Sequence, residues 1–445
     1  MIKIAIIGAG SEWGRRFGVD ILSHQWPTEV KMTMMDVSGE RLKPIVDVTS
    51  KTIDAHNLKA FTVEGTLDRE AALKGADYVI ASFAIGGNAY CGPVYALDVT
   101  IPMKYGVKQA VADTIGPGGI FRALRTAPVM MSTLDDMKRL CPNALLLNYV
   151  NPMAILTWVA YEYCNIPFIG LCHSVQGTSR SLAHLLGAPY DEVSYKVAGI
   201  NHMAWFVEFK WQGQDMLAAI REKVKDTPDV RCDMCTHFGH FVTESPQHMS
   251  EYVPYYRKSD DLLERFELSK NEGHSLHFPT KGGRTYDYLM SKKRYSDAEG
   301  RPEKIQRQIA GEEPIALEKS YEYASEIMIA QETGKPFTFN GNVKNRGCIA
   351  NLPYDCCAEV PCTVDKTGIH PQYFGKLPSH LAGLCLTNIS VQRLTVEAII
   401  EKNLEKAFHA MLLDPLTSAV CGTAEIKKMF DEMVEAEKEY LTCYM

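Results

Sequence analysis

The chain opens on a near-continuous apolar run. Residues 2–7 are broken only by Lys3, a pattern that predicts a strand buried on both faces, as in a parallel sheet. Gly8-Ala9-Gly10-Ser11 follows, and a helix is predicted from Glu12 toward Ser23. Residues 30–35 repeat the strand pattern and end at Asp36, with a helix start at Gly39. Residues 76–83 form another such run, leading into Ile85-Gly86-Gly87. Residues 144–149 form a further one, which delivers Asn148 and then Asn151-Pro152. Between these two lies a glycine-proline loop, 113–122, with a helix predicted over 121–140. Two short runs come next. Residues 167–171 are followed by Cys172-His173, and 195–200 by Asn201-His202. Strand and helix alternate up to about residue 170, which predicts an α/β fold: a Rossmann-like, doubly wound parallel sheet over 1–170.

From about residue 203 the pattern changes. Residues 204–211 alternate like a half-exposed strand, and 215–225 read as a helix. Residues 244–261 are rich in Tyr, Glu and Asp, and 281–288 form a basic, glycine-containing loop. Helices are predicted over 305–311 and 317–333, and long amphipathic ones over 391–412 and 423–441. No repeat, low-complexity linker or clean break separates the parts. An α+β unit, 171–445, is therefore expected to grow out of the first and close over its cleft.

Composition narrows the function classes. The 445 residues are 46% hydrophobic and 23% charged, ordinary for a soluble globular protein. A net charge of −7 argues against a general nucleic-acid binder, which carries a basic patch. No apolar run reaches membrane-spanning length, and the N-terminal run leads straight into a glycine turn, unlike a signal peptide. A cytoplasmic protein is expected. Thirteen scattered cysteines suit reduced thiols rather than a disulfide framework. The lone pair Cys232 and Cys235 has no partner pair at zinc spacing, and Cys356-Cys357 reads as packing.

The candidate chemistry lies at the strand ends, where ligands of open α/β sheets bind. Gly8 and Gly10 let a backbone approach a pyrophosphate, and a helix start at Ser11 favours its charge. The third glycine of the dinucleotide fingerprint is replaced by Trp13, with Gly14 one place late. Asp36, after the second strand, is either a helix cap or a partner of an adenosine ribose. The position favours the ribose, and NAD over NADP. Asp113 is a turn cap or part of a binding loop. Cys172 and His202, each ending a strand-like run, can meet over one metal ion. Taken singly, each is more often a buried core residue, as are Tyr252, Tyr255 and Tyr256.

The motifs GAGS, DTIGPGGIFRALRT, NYVNPM, GLCHSVQGT, AGINHMAWF, FVTESPQHMSEYVPYYRK and NLPYDCCAEVPC, spread from residue 8 to about 362, together resemble glycoside hydrolase family 4. That resemblance implies dependence on NAD and a divalent metal, usually Mn2+. It is a family outside the two-carboxylate scheme of glycoside hydrolysis. It also implies oxidation at sugar carbon 3, proton removal at carbon 2, departure of the leaving group, water addition and re-reduction. By motif, Cys172 and His202 match the metal ligands and Asn151 a residue on the sugar hydroxyls, with Asp113 placed beside it as a substrate contact. Tyr252 is the first choice for the base, with Tyr255, Tyr256 and Asp260 competing; a nearby metal and the cofactor's charged ring are expected to lower its pKa. The residue after the metal cysteine is His173, the form of the α-galactosidase branch, where 6-phosphosugar branches carry Asp or Asn. His173 is either a support for the metal site or the proton donor to the leaving oxygen. The implied substrate is a small unphosphorylated α-galactoside, melibiose or raffinose in kind, cleaved by a homodimer or homotetramer. An α-glucosidase, α-glucuronidase or α-galacturonidase of the same family, or an NAD-dependent sugar or hydroxy-acid dehydrogenase, are the alternatives.

Overall fold

The computed structural model describes residues 1–86, 93–266, 268 and 303–445. Its centre is a single 13-stranded sheet. Strands β1 (Ile2–Ile7), β2 (Val30–Met35), β3 (Phe61–Thr66), β4 (Tyr78–Ala81), β5 (Leu145–Asn148) and β6 (Phe168–Gly170) run parallel in the order β3-β2-β1-β4-β5-β6. This is the doubly wound half that the apolar runs predict. β4 and β5 are buried at every residue, because helices cover both faces and neither face meets water.

Beyond β6 the sheet turns antiparallel. β7 (Val193–Ile200) and β8 (Met203–Trp211) form a hairpin whose turn is Asn201-His202, with β9 (Gln214–Asp215) and β10 (Phe241–Val242) against β8. β11 (Phe337–Lys344) and β12 (Cys357–Asp365) insert between β6 and β7, and β13 (Gly368–Pro371) pairs β12. The runs that end at Cys172 and His202 are therefore not neighbours in the sheet. One row crosses all four strands, Gly170–Asn342–Glu359–Gly199, and places Asn342 and Glu359 between them.

The packing changes several expectations. Only the second half of 204–211 is half-exposed: Met203 and Trp205 enter the main core and Ala204, Phe206 and Phe209 a second one, while Val207, Glu208, Lys210 and Trp211 stay partly exposed. Cys232 and Cys235 pack into that second core as buried thiols. The glycine-proline segment is not a loop but the start of a long helix, Gly116–Leu140, with Pro117 in its first turn. Its glycines serve close approach: a Cβ at Gly119 would lie 2.6 Å from the Thr114 backbone. Residues 317–323 are not helical; the helix there is Ala324–Thr333. Asp20 accepts hydrogen bonds from both the amide and the hydroxyl of Ser320, each 2.7 Å, and holds that segment extended. The closing helix splits into Ser379–Glu401 and Leu404–Leu413, with Lys402 left-handed and Asn403 capping the Glu405 amide. Among the described residues no helix is long and apolar enough to cross a membrane. Gly87 and the loop 281–288 lie outside the described residues.

Candidate active site

The glycine turn leaves β1 with Gly8 at φ +87° and enters the helix Glu12–Leu22. Gly14 takes the part of the third fingerprint glycine: a Cβ there would lie 2.0 Å from the Ala9 carbonyl oxygen. Trp13 is thereby released to point elsewhere, against Tyr149, Phe17 and His173. Ser11 is the N-cap, and its buried hydroxyl has no partner in the protein, which fits a phosphate at that helix start. Asp36 is not the cap of the next helix. Ser38 fills that place, and its side chain accepts from the Arg41 amide. Asp36 instead ties the turn to β2, accepting from the amides of Gly10 (2.9 Å) and Ser38 (3.0 Å) and from the Arg41 guanidinium (2.8 Å).

Across the strand ends, Asp113 and Asn151 meet. The Asn151 amide donates to Asp113 Oδ2 at 2.9 Å, and the Thr114 hydroxyl to Oδ1 at 2.6 Å. Asp113 is buried, yet the imidazole of His248, 3.5 Å away, and the Arg122 charge outweigh burial and hold its carboxyl below the usual range. Asn148, by contrast, spends its amide on the backbone of Val150.

Cys172 and His202 do come together, and they bring a third group. Cys172, His202 and Glu244 each offer a ligand atom, all within 4.8 Å of one another. A point equidistant from three atoms at that spacing lies about 2.8 Å from each, and modest closing of the side chains gives metal-ligand lengths. Thiolate, imidazole and carboxylate suit a divalent transition metal, so the residues fit the ion that the sequence implies. Burial lowers the His202 pKa to about 4, so the imidazole is neutral and ready to ligate. Burial, then Glu244 and Glu359, push the Cys172 thiol up, so an arriving ion must displace its proton. Thr114 Oγ1 lies 3.4 Å from His202 Nδ1 and biases which ring nitrogen is free.

His248 and Tyr252 stand one turn apart on the helix Pro246–Tyr252 and both face His202, with ring centroids 4.5 and 6.4 Å away. Burial alone would lower His248, but the carboxylates of Glu244 and Asp113 raise it to about 9 and keep it charged. Thr114 spends its proton on Asp113, and the buried Tyr252 hydroxyl is left without a hydrogen bond from the protein. The protein's own groups push Tyr252 up, burial first and then Asp113 and Glu251, so any lowering has to come from a bound cation. The competing candidates are engaged elsewhere. Tyr256 donates to Asp233 at 2.7 Å, Tyr255 packs on Phe238, and Asp260 is 79% exposed in a pair with Lys108.

His173 starts the helix Ser174–Leu186 as its N-cap residue. Its Nδ1 lies 2.9 Å from the buried Glu322 Oε1, and its ring sits between Trp13 and Tyr321. The row residue Glu359 is fully buried, with both oxygens unpartnered; burial and then Glu244 raise its pKa to about 8. Sequence reasoning did not single out Glu244, His248, Glu322 or Glu359. Only the motifs that contain Glu244, His248 and Glu359 marked the first, second and fourth. Glu322 lay in the segment taken for a helix.

Residues 3–188 match the description "Family 4 glycosyl hydrolase", and residues 197–417 match "Family 4 glycosyl hydrolase C-terminal domain". The chain is 36% identical over 456 residues to an alpha-galactosidase of Bacillus subtilis (strain 168), covering 100% of both chains. It is 37% identical to an alpha-galactosidase of Rhizobium meliloti (strain 1021), over 99% of this chain and 89% of that one. The fold matches a 6-phospho-alpha-glucosidase from gut microorganisms, solved in complex with NAD and Mn2+, at TM-score 0.81 and 22% identity, over 99% of this chain and 98% of that one.

Proposed function

This chain belongs to glycoside hydrolase family 4, and from that premise we propose that it hydrolyses small unphosphorylated α-galactosides with NAD+ and a divalent metal, Mn2+ foremost. The observation that carries the reading is the trio Cys172, His202 and Glu244 beyond the carboxyl ends of a dinucleotide-binding sheet. The galactoside is supported by His173 after the cysteine and by full-length relatives named alpha-galactosidases. The units divide after β6, with the dinucleotide held by 1–170 and the metal and sugar by 171–445. We place the reaction in the cytoplasm, in a homodimer or homotetramer.

When bound, NAD+ supplies the hydride acceptor and donor, and the metal supplies the Lewis acid. Gly8, Gly10 and Ser11 hold the pyrophosphate, and Asp36 holds the ribose. Cys172, His202 and Glu244 hold the metal. Asn151 and Asp113 orient the sugar hydroxyls, and their mutual hydrogen bond fixes both before the sugar arrives. Tyr252 removes the proton at sugar carbon 2. Among the described aromatic candidates it alone has a ring contact with His202. His173, fixed through Nδ1 by Glu322, offers Nε2 to the leaving oxygen. Asp260 is exposed and paired with Lys108, which leaves Tyr252 as the base.

The test is hydrolysis of a chromogenic α-galactoside with NAD+, Mn2+ and a thiol, beside the α-glucoside and the α-galacturonide. Galactose should be released with no net NADH. In heavy water the product should carry deuterium at carbon 2. Tyr252→Phe should lower turnover about 10²–10⁴-fold, the usual share of a positioned base. Product without deuterium at carbon 2 would exclude the elimination route.

A further inference from the structure

Glu251, next to Tyr252, is buried, and no role has been assigned to it so far. Three successive backbone amides point at its carboxylate. Val111 donates to Oε1 at 2.7 Å, Ala110 donates to the same oxygen, and Ala112 reaches Oε2 at 3.4 Å. Consecutive amides curled in this way form a nest for an anion, and here the anion is a side chain. The nest closes because Ala112 has φ +53°, a left-handed conformation that a residue with a Cβ rarely adopts. The buried Arg257 stands behind, with its Nε on the Lys108 carbonyl and Nη1 3.3 Å from the Ser250 hydroxyl.

The loop so gripped ends in Asp113 and Thr114. Asp113 holds Asn151, and Thr114 reaches His202. The gripping helix carries His248 three residues before Glu251, on the same face, and His248 meets Asp113 from the other side. Loop and helix are thus fastened at two points, one inside the candidate site and one behind it. The point behind joins Glu251 to backbone amides and includes none of the side chains assigned to sugar, cofactor or metal.

We propose that Glu251 is a positioning residue: its carboxylate, seated on the amides of 110–112, aims Asp113 and Thr114 and so sets both the sugar contacts and the orientation of the His202 imidazole. The inference rests on the reading of Cys172, His202 and Glu244 as a metal centre and deepens it. Without the carboxylate, three buried amides lose their acceptor and the left-handed turn at Ala112 loses its support. The loop then relaxes, and Thr114 leaves His202. A partner that orients a metal-ligating histidine commonly carries 10- to 100-fold in metal affinity.

Two variants and two readouts test this. Glu251→Gln keeps the shape and one acceptor oxygen but turns an NH2 group toward the Ala112 amide. Glu251→Asp keeps the charge but draws the carboxylate back from the amides by one methylene, so it remains informative if Glu251→Gln does not fold. Each should weaken Mn2+ binding, read from the ion's EPR signal, about tenfold or more. Each should also lower kcat for the α-galactoside about 10- to 100-fold, the scale of a small misplacement of groups, while NAD+ affinity stays at the wild-type value. A variant that only melts at a lower temperature, with Mn2+ affinity, kcat and KM unchanged in the folded protein, assigns Glu251 to stability and overturns the proposal. If wild type cleaves no α-galactoside, the functional reading fails, and the Mn2+ titration alone still decides the role of Glu251.

Discussion

Replacing Glu244 by glutamine sets two effects against each other, and the geometry decides which wins. Glu244 is one of the groups that push the Cys172 thiol up, so its neutral replacement eases ionisation of the thiol. The thiolate is the metal-binding form, and this change by itself favours the ion. The same substitution strips one negative charge from the ion's immediate surroundings. The three ligand atoms lie within 4.8 Å of one another. A divalent ion among them carries twice the thiolate's charge at about half that distance from the carboxylate, so the attraction lost is about four times the repulsion relieved. Binding should therefore weaken. Losing a close partner of a metal site costs about 10- to 100-fold in affinity, or roughly 1.4–2.8 kcal/mol. The assay is a Mn2+ titration in a thiol reductant, followed by the EPR signal of the free ion. In the same variant without added metal, alkylation of the Cys172 peptide, mapped by mass spectrometry, should speed up. Unchanged affinity together with unchanged alkylation would show that these three side chains do not share an ion.

Two other outcomes follow from the site. Because burial raises Cys172 while His202 falls to about 4, the proton displaced by the ion comes from the thiol, and Mn2+ affinity should climb with pH by up to about tenfold per unit until the thiol ionises unaided; a flat profile from pH 6 to 8 would remove Cys172 from the ligand set. Asp36→Ala should weaken NAD+ binding by about 1–3 kcal/mol in calorimetry, since it takes a partner from the ribose and an acceptor from the Gly10 amide; full affinity would return Asp36 to a purely structural part.

The parallel half of the fold was legible because its strands are covered on both faces, and burial on both faces writes an unbroken apolar run. β4 and most of β5 follow that rule, β1 is interrupted only by Lys3, and β2 departs from it at Lys31 and Thr33. The antiparallel half hides for the opposite reason. β11 reads Phe-Thr-Phe-Asn-Gly-Asn-Val-Lys, and Asn340 and Asn342 are buried within it, as is Glu359 on β12. Polar residues in a central strand mimic a loop in sequence. They are tolerated here because Asn340 donates to the Val197 carbonyl on β7, beyond β12, and Asn342 to the Gly170 carbonyl on the neighbouring β6. The insertion of β11 and β12 between β6 and β7 is non-local pairing, which no window of sequence contains. The 317–323 segment failed differently: its composition suits a helix, and one buried aspartate 300 residues earlier in the chain outbids that preference.

At the site, Cys172 and His202 were legible because they are rare residue types at strand ends. Glu244, Glu251 and Glu322 were not, because a glutamate in a polar segment is normally solvated and only the fold reveals its burial. The backbone marks the same places. Seven described residues other than glycine have positive φ, and Ala112, His202 and Glu244 are among them. Two of the others have ordinary turn or cap roles: Gln212 sits in the tight turn between β8 and β9, and Lys402 ends a helix. At 202 and 244 glycine would relieve the strain, but glycine has no ligand atom to offer. Holding a side chain in the left-handed region costs on the order of 1 kcal/mol or more, and it persists only where the surroundings over-determine it. Here the surroundings are the hairpin β7–β8, which fixes His202, and the contacts of Glu244 with His202 and His248. Ala112 and Glu244 are thus positions where local preference is overruled, and nothing in their own residue type marked them in the sequence, whereas His202 was marked by its type although its backbone is held in the same way.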